Sequence, residues 1–156
     1  MRVGWGFDAH RFGGTGPLWL AGVVVSEKGL EGTSDADVLA HALADALLGA
    51  AALGDLGVLF PSSDSRWVDA DSMDLLDQVV AAVAGAGFQP VQVDATVIAE
   101  TVRVSPHRDD MRARLAASLG LPTSAVSVKA TTTDGLGFLG RDEGVAAMVV
   151  AVIEPV

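Results

Sequence analysis

The chain of 156 residues contains no cysteine, so it forms no disulfide and offers no thiolate to a metal. That fits a reducing compartment, and the cytoplasm is the expected location. Aromatic residues make up only 5%, so a core drawn from the 50% apolar fraction must be built from Ala, Val and Leu. The start of the chain lacks the basic-then-apolar pattern of a signal peptide, and no apolar run reaches the roughly 18 residues that span a bilayer. Positive charge is also scarce: 10 Lys and Arg against 20 Asp and Glu leave a net charge of −10. Such a balance argues against nucleic acid or an anionic membrane as partner. It also obliges any phosphorylated ligand to be met by local cations. The length is that of one domain, so residues 1–156 are read as a single unit.

Against this background the polar residues that interrupt apolar segments stand out. Asp8 and His10 are two residues apart, which on a strand places both on one face. His41 sits in a run from Ala36 to Leu53 that is almost entirely Ala, Leu and Val. Asp37, His41 and Asp45 recur at i, i+4 and i+8 and share one stripe of that helix. A solvated stripe would carry Glu, Lys and Arg, and none is present. A stripe facing a metal accounts for it better, because buried charge is costly unless paired or bound to a cation. One carboxylate and two imidazoles are ligands zinc accepts, and three protein ligands leave a fourth position open, as in catalytic sites. Asp37 or Asp45 is then expected to orient the imidazole from behind.

The remaining elements alternate. Arg2 to Phe7 reads as a strand, Gly13 to Pro17 as a turn and Leu18 to Val25 as a second strand. Ser34 or Asp35 is the expected N-cap of the His41 helix, and Gly54 to Gly57 ends it. Phe60 to Asp69 is a polar loop suited to act as a lid. Asp71 or Ser72 caps a helix to Ala84, Val91 to Ala99 is a strand, and Pro106 opens a helix to Leu119. Val126 to Thr132 and Val145 to Ile153 are the last strands. The fold class expected is α+β, an α/β sandwich in which a mixed sheet carries helices on one face. The final strand is apolar almost throughout, so both of its faces should be buried, which points to a subunit interface.

Three further clusters bear on chemistry. Ser34-Asp35 precedes a helix, where free N–H groups favour an anion. Lys129-Ala130-Thr131-Thr132-Thr133-Asp134 ends a strand in hydroxyls that suit phosphate oxygens and a carboxylate that suits Mg²⁺, although Thr is common in strands and composition alone favours that plainer reading. Gly135 to Arg141 is Gly-rich without the spacing of a phosphate-binding loop, and reads as a hairpin.

Several long segments, in order, resemble the 2-C-methyl-D-erythritol 2,4-cyclodiphosphate synthase family. They are Gly6-Phe7-Asp8-Ala9-His10, Ser34-Asp35-Ala36-Asp37-Val38-Leu39-Ala40-His41-Ala42-Leu43, the stretch Asp45 to Gly57, Phe60-Pro61, Lys129-Ala130-Thr131-Thr132-Thr133 and Gly135-Leu136-Gly137-Phe138. The resemblance covers nearly the whole chain. It implies a lyase of non-mevalonate isoprenoid biosynthesis that closes a cyclic diphosphate on a cytidyl substrate and releases CMP. It also implies a homotrimer with sites shared between subunits, one zinc per chain, and Mg²⁺ or Mn²⁺ bound with the substrate diphosphate.

Residue by residue, the resemblance makes Asp8, His10 and His41 the zinc ligands and Asp134 a ligand of the second metal. Asp8, Ala9, His10, Thr33, Ser34, Asp55, Leu56 and Gly57 would meet the erythritol phosphate portion, beneath a lid of Phe60, Pro61, Ser62, Ser63 and Asp64. A neighbouring subunit would supply the cytidine pocket: Ala99, Glu100, Thr101, Val102, Arg103, Val104 and Ser105, with Ala130, Thr131, Thr132, Thr133 and Asp134. Thr132 matches a transition-state-stabilising threonine. Phe7, Phe138 and Arg141 match positions near the trimer axis, where some members hold an isoprenoid diphosphate. The family's usual His before Ser-Asp is Thr33 here, its usual Pro-Lys is Val102-Arg103, its usual Glu is Asp134, and Asp142 replaces a glycine beside Arg141. Thr33 stands at a catalytic position, and Trp5 is expected to crowd an imidazole placed there. These departures leave a second reading beside the active synthase, that of a catalytically impaired trimeric zinc protein that binds a nucleotide or isoprenoid diphosphate.

Overall fold

The computed structural model describes residues 1–156. Alternating residues of β1 (Arg2–Arg11) turn inward at Gly4, Gly6, Asp8 and His10, so the strand runs four residues past the expected Phe7. Its partner along the whole length is β6 (Gly144–Pro155), antiparallel, with Asp8 opposite Ala147 and His10 opposite Val145. On the other side of β6 lies β4 (Phe88–Ile98), antiparallel, followed by β5 (Val126–Thr131), parallel to β4. The order β1-β6-β4-β5 is therefore a mixed four-stranded sheet.

Helices cover one face. Val93, Ala95 and Val97 of β4 and Val149, Ala151 and Ile153 of β6 are buried beneath α1 (Val38–Ala51), α3 (Ser72–Gly85) and α4 (Arg108–Leu119) in one continuous core. A short helix α2 (Leu56–Leu59) follows α1, and another, α5 (Gly137–Gly140), precedes β6. The expected mixed sheet with helices on one face is present.

Several boundaries differ from the sequence reading, each for a local reason. The expected strand from Leu18 to Val25 is a hairpin, β2 (Leu18–Leu20) and β3 (Val23–Ser26), because Ala21 and Gly22 both take positive φ and reverse the chain. The cap of α1 is Asp37, whose side chain accepts from the Ala40 N–H, rather than Ser34 or Asp35. Ala36 at φ 58° keeps the helix from starting earlier, and Ala52 at φ 59° ends it. A bulge between Pro90 and Gln92 takes Val91 out of the inward row. Pro106 lies in a 3₁₀ turn over 105–107, and the helix proper begins at Arg108. The stretch from Gly135 to Arg141 is a turn closing into α5, not a hairpin.

The final strand is covered on one face only. Met148 (38% exposed) and Val150 (39%) lie on the outer face beside Trp5 (59%) and Phe7 (43%) of β1. Sheet alternation therefore puts Trp5 on the face opposite Asp8 and His10, and its ring stacks on Phe7 at 6.4 Å.

The inner face of β1 is unusually bare. A Cβ at Gly6 would fall 1.9 Å from the Ala42 carbonyl oxygen, and one at Gly4 would fall 1.8 Å from that of Ala46. The obstacle in both cases is helix backbone, which cannot yield as a side chain can. Gly6→Ala should therefore destabilise the chain by about 3 kcal/mol, at the upper end of overpacking costs, and lower Tm by roughly 6–12 °C in a thermal scan. Gly49→Ala is the control. Its Cβ would enter open space on the same helix, and it should hold or raise Tm.

Candidate functional site

Packing of α1 on β1 brings His41 over Asp8. The Asp8 Oδ2 atom lies 3.0 Å from His41 Nδ1 and 3.1 Å from His10 Nε2. The three ligand atoms fall within 4.8 Å of one another, and this cluster could hold a metal ion. His10 is oriented from behind: its Nδ1–H donates to the Glu31 carbonyl oxygen at 2.5 Å, which leaves Nε2 as the free lone pair. Burial alone would push the Asp8 carboxyl up, but hydrogen bonds and charge from both imidazoles outweigh it and hold the group at about 2. The His10 imidazole is pushed up, first by its hydrogen bond to Asp8. A permanent carboxylate with two imidazole nitrogens turned toward it fits a divalent cation of zinc's preference.

Behind His41 the expected partners are absent. Asp37 is fully buried and accepts from the Ala21, Gly22 and Ala40 N–H groups, while Asp45 accepts from the Leu56 N–H at 2.8 Å. Neither side chain reaches the imidazole. Two hydroxyls do: Ser72 Oγ at 2.8 Å and Ser34 Oγ at 3.1 Å from His41 Nε2. Ser72 comes from the first turn of α3, 31 residues away, and no local pattern marks it. Nor is Ser34-Asp35 an anion site at a helix end, because Asp37 caps the helix and the Asp37 N–H is itself taken by Asp35.

The cluster opens on a pocket of about 210 Å³ lined by Thr33, Ser34, Gly57, Phe60, Ser62 and Trp67 as well as by both imidazoles. Leu56, also expected at the site, lines it too. Asp55 caps α2, accepting from the Val58 N–H. The expected lid is held by local contacts, with Asp64 accepting from Arg66 and the Phe60 ring edge-on to Trp67 at 4.9 Å. Trp67 lines the pocket as well, a role that its place in the Phe60 to Asp69 segment does not mark. Trp5 lies on the other side of the sheet, so it does not crowd position 33.

A second group of anticipated residues gathers elsewhere. Residues 99–105 and 130–134 meet at the ends of the parallel pair β4 and β5, where the Ala99 N–H donates to the Thr131 carbonyl oxygen at 3.1 Å. None of them lines the metal pocket. Asp134 is exposed, and its backbone N–H donates to Thr132 Oγ1 at 3.1 Å. Ala9 and Phe138 border a second hollow, which His10 also lines. Arg141 is paired with Glu143 at 2.9 Å, and Asp142 with Lys28 at 2.7 Å and with the Thr101 hydroxyl.

A mixed sheet with one helical layer, carrying a carboxylate and two imidazoles at the mouth of a pocket, defines a candidate metal-binding α/β protein. Comparison with known proteins narrows that class. The family model described as YgbB family matches residues 1–154. The chain is 57% identical over 155 residues to the 2-C-methyl-D-erythritol 2,4-cyclodiphosphate synthase of Salinibacter ruber, covering 99% of both chains, and 51% identical to that of Symbiobacterium thermophilum, covering 98% of both. A solved 2C-methyl-D-erythritol-2,4-cyclodiphosphate synthase in a CDP-bound form superposes with a TM-score of 0.89 at 32% identity, over 98% of this chain and 100% of the other. The bifunctional IspDF of Campylobacter jejuni superposes at 0.96 with 42% identity, over 99% of this chain and 42% of that longer one. The chain belongs to the YgbB family of 2-C-methyl-D-erythritol 2,4-cyclodiphosphate synthases.

The metal cluster has a definite pH signature. Without metal, the raised His10 pKa means that the Asp8–His10 pair stabilises the fold fully below the ordinary histidine value of about 6.5, and this is lost as pH rises through the higher folded value. The lowered Asp8 pKa contributes above the ordinary value of about 3.9 and is lost as pH falls toward about 2. Both terms are therefore present from about pH 4 to 6.5, where Asp8→Asn should cost the metal-free protein most in denaturant titrations. Metal binding needs His10 deprotonated, so affinity for a divalent metal ion should rise with pH across the same histidine range and release a proton detectable by calorimetry in different buffers. His41→Ala should abolish metal binding by this cluster at every pH.

Proposed function

We propose that the chain converts 4-diphosphocytidyl-2-C-methyl-D-erythritol 2-phosphate into 2-C-methyl-D-erythritol 2,4-cyclodiphosphate with release of CMP. The observation that carries this reading is identity above 50% along nearly the full chain to relatives bearing that activity as their name, with the Asp8, His10 and His41 cluster formed. The same identity speaks against the catalytically impaired alternative. A 2-phosphate oxygen bonds to the β-phosphorus as the bond from that phosphorus to the α–β bridging oxygen breaks. CMP departs with the bridging oxygen on its own phosphate.

The protein's part is to hold two anionic groups in line and neutralise charge, since such transfers need little covalent help. Zinc held by Asp8, His10 and His41, and Mg²⁺ or Mn²⁺ held by Asp134 with the substrate diphosphate, would supply positive charge to the phosphoryl oxygens when bound. Thr33, Ser34, Leu56, Gly57, Phe60 and Ser62 border the pocket and suit the erythritol phosphate, with Ala9, Asp55, Pro61, Ser63 and Asp64 around them. Residues 99–105 and 130–133 would grip cytidine and its phosphates, with the Thr132 hydroxyl donating to a phosphoryl oxygen in the transition state. Absence of cysteine fits a cytoplasmic reaction. No helix is long and apolar enough to cross a membrane.

A homotrimer reconciles two features of the single chain. The nucleotide group lies apart from the metal pocket, so a complete site needs a second copy. The outer sheet face exposes Val3, Trp5, Phe7, Met148 and Val150 in one apolar patch, of the kind that marks an interface. Sedimentation equilibrium at micromolar concentration should give three times the chain mass, and a single-chain mass would refute the shared site.

Turnover is tested by following CMP release from the cytidyl substrate with zinc and Mg²⁺ present. Thr33 lines the pocket but cannot carry the charge of an imidazolium. Charge-assisted hydrogen bonds are about twice as strong as neutral ones, and loss of one transition-state donor costs on the order of 10²–10³ in rate. Thr33→His should therefore raise turnover without altering zinc binding. Unchanged or lower turnover in a folded, trimeric variant would mean that Thr33 is no deficit.

A further inference from the structure

The His41 imidazole has distinct surroundings at its two nitrogens. Nδ1 faces Asp8 Oδ2 at 3.0 Å within the metal cluster. Nε2 faces Ser72 Oγ at 2.8 Å and Ser34 Oγ at 3.1 Å. A hydroxyl can donate or accept, so these distances alone leave the imidazole tautomer open. Asp35 removes the ambiguity. Its carboxylate accepts from the Ser72 backbone N–H at 3.0 Å, from the Asp37 N–H at 3.1 Å and from the Ser72 hydroxyl through a short contact. A carboxylate only accepts, so the Ser72 proton is committed to Asp35. Ser72 Oγ can then face His41 Nε2 only as an acceptor.

We infer that Asp35 and Ser72 are positioning residues, a relay that holds His41 as the Nε2–H tautomer and presents its Nδ1 lone pair to the metal. The relay is built to be rigid. Ser72 is 1% exposed, and Asp35 grips it at both backbone and side chain, tying the loop before α1 to the first turn of α3. Ser34 Oγ lies 3.3 Å from Ser72 Oγ, whose second lone pair can accept the Ser34 proton. His10 is set the same way by a backbone acceptor, the Glu31 carbonyl, so each imidazole ligand has one nitrogen spoken for.

The inference rests on the metal reading of Asp8, His10 and His41, and the test separates the two. Metal-stripped full-length protein is titrated with zinc against a chromophoric chelator, with cobalt(II) as a spectroscopic substitute. Partners behind a ligating histidine are worth about 10–100-fold in affinity or activity, so Ser72→Ala should weaken zinc binding by about that factor and alter the cobalt absorption bands. Asp35→Asn should weaken it several-fold, and Ser72→Thr, which keeps the hydroxyl, should bind more tightly than Ser72→Ala. If Ser72→Ala does not fold, as judged by circular dichroism, Asp35→Asn decides. Zinc affinity within twofold of the parent and an unchanged cobalt spectrum in the folded variants would overturn the relay. A parent protein that binds neither ion would overturn the metal reading, and the relay with it.

Discussion

A helix can approach a sheet only as closely as the atoms between them allow, and over Gly4 and Gly6 of β1 there are none to spare. The Ala46 and Ala42 carbonyl oxygens sit where those two Cβ atoms would be. The helix answers with small residues, Ala42, Ala46 and Ala50, all buried. Alternation makes Asp8 the next inward side chain after Gly4 and Gly6, and His41 is the neighbour of Ala42 on the helix. Docking glycine against alanine thus sets the distance between Asp8 and His41 before any metal is considered. The scarcity of large side chains in this chain is, at this contact, a geometric requirement.

Asp37 shows why a shared helix face is not a shared site. With Asp45 and His41 it forms a stripe at i, i+4 and i+8, yet eight residues of helix rise about 12 Å, far beyond one coordination sphere. Each side chain meets a different neighbour. Asp37 ties the turn of the β2–β3 hairpin to the start of α1 through three backbone N–H groups. Burial pushes its carboxyl up, and those donors oppose the shift. A fully buried acid whose side chain accepts only from backbone donors is an architectural tether. Asp45 does similar work at the far end, receiving the first N–H of α2.

What could be read from the sequence was whatever depends on periodicity or on strong local punctuation. Asp8 and His10 sharing a face, the three long helices and Gly120 ending α4 at φ 66° all follow from such rules. The structure departs from the sequence reading where backbone reversal is carried by residues that do not advertise it. Ala21, Ala36 and Ala52 all take positive φ, a conformation that alanine rarely marks. Ser72 and the Glu31 carbonyl escaped because their roles depend on tertiary contacts across 31 and 21 residues. The outer face of β6 could be recognised as apolar but not as uncovered, since a strand apolar on both sides reads the same whether its second layer is its own chain or another copy.

Charge placement then explains why such a protein would depend on bound cations. Lys28 is held by Asp142, Arg66 by Asp64, Lys129 by Asp94 and Arg141 by Glu143, each at 2.9 Å or less. Arg112 is turned toward the Val126 and Thr123 carbonyl oxygens. No Lys or Arg lines the metal pocket, where the positive partners are two imidazoles drawn toward one aspartate. With a net charge of −10 and no Lys or Arg in its lining, this pocket offers no fixed side-chain cation of its own to set against a phosphoryl oxygen. An ion-binding cluster backed by hydroxyl and carbonyl acceptors supplies that charge only when it is loaded. Neutralising charge from this side of the pocket would therefore come from a bound ion rather than from a lysine or arginine of its lining.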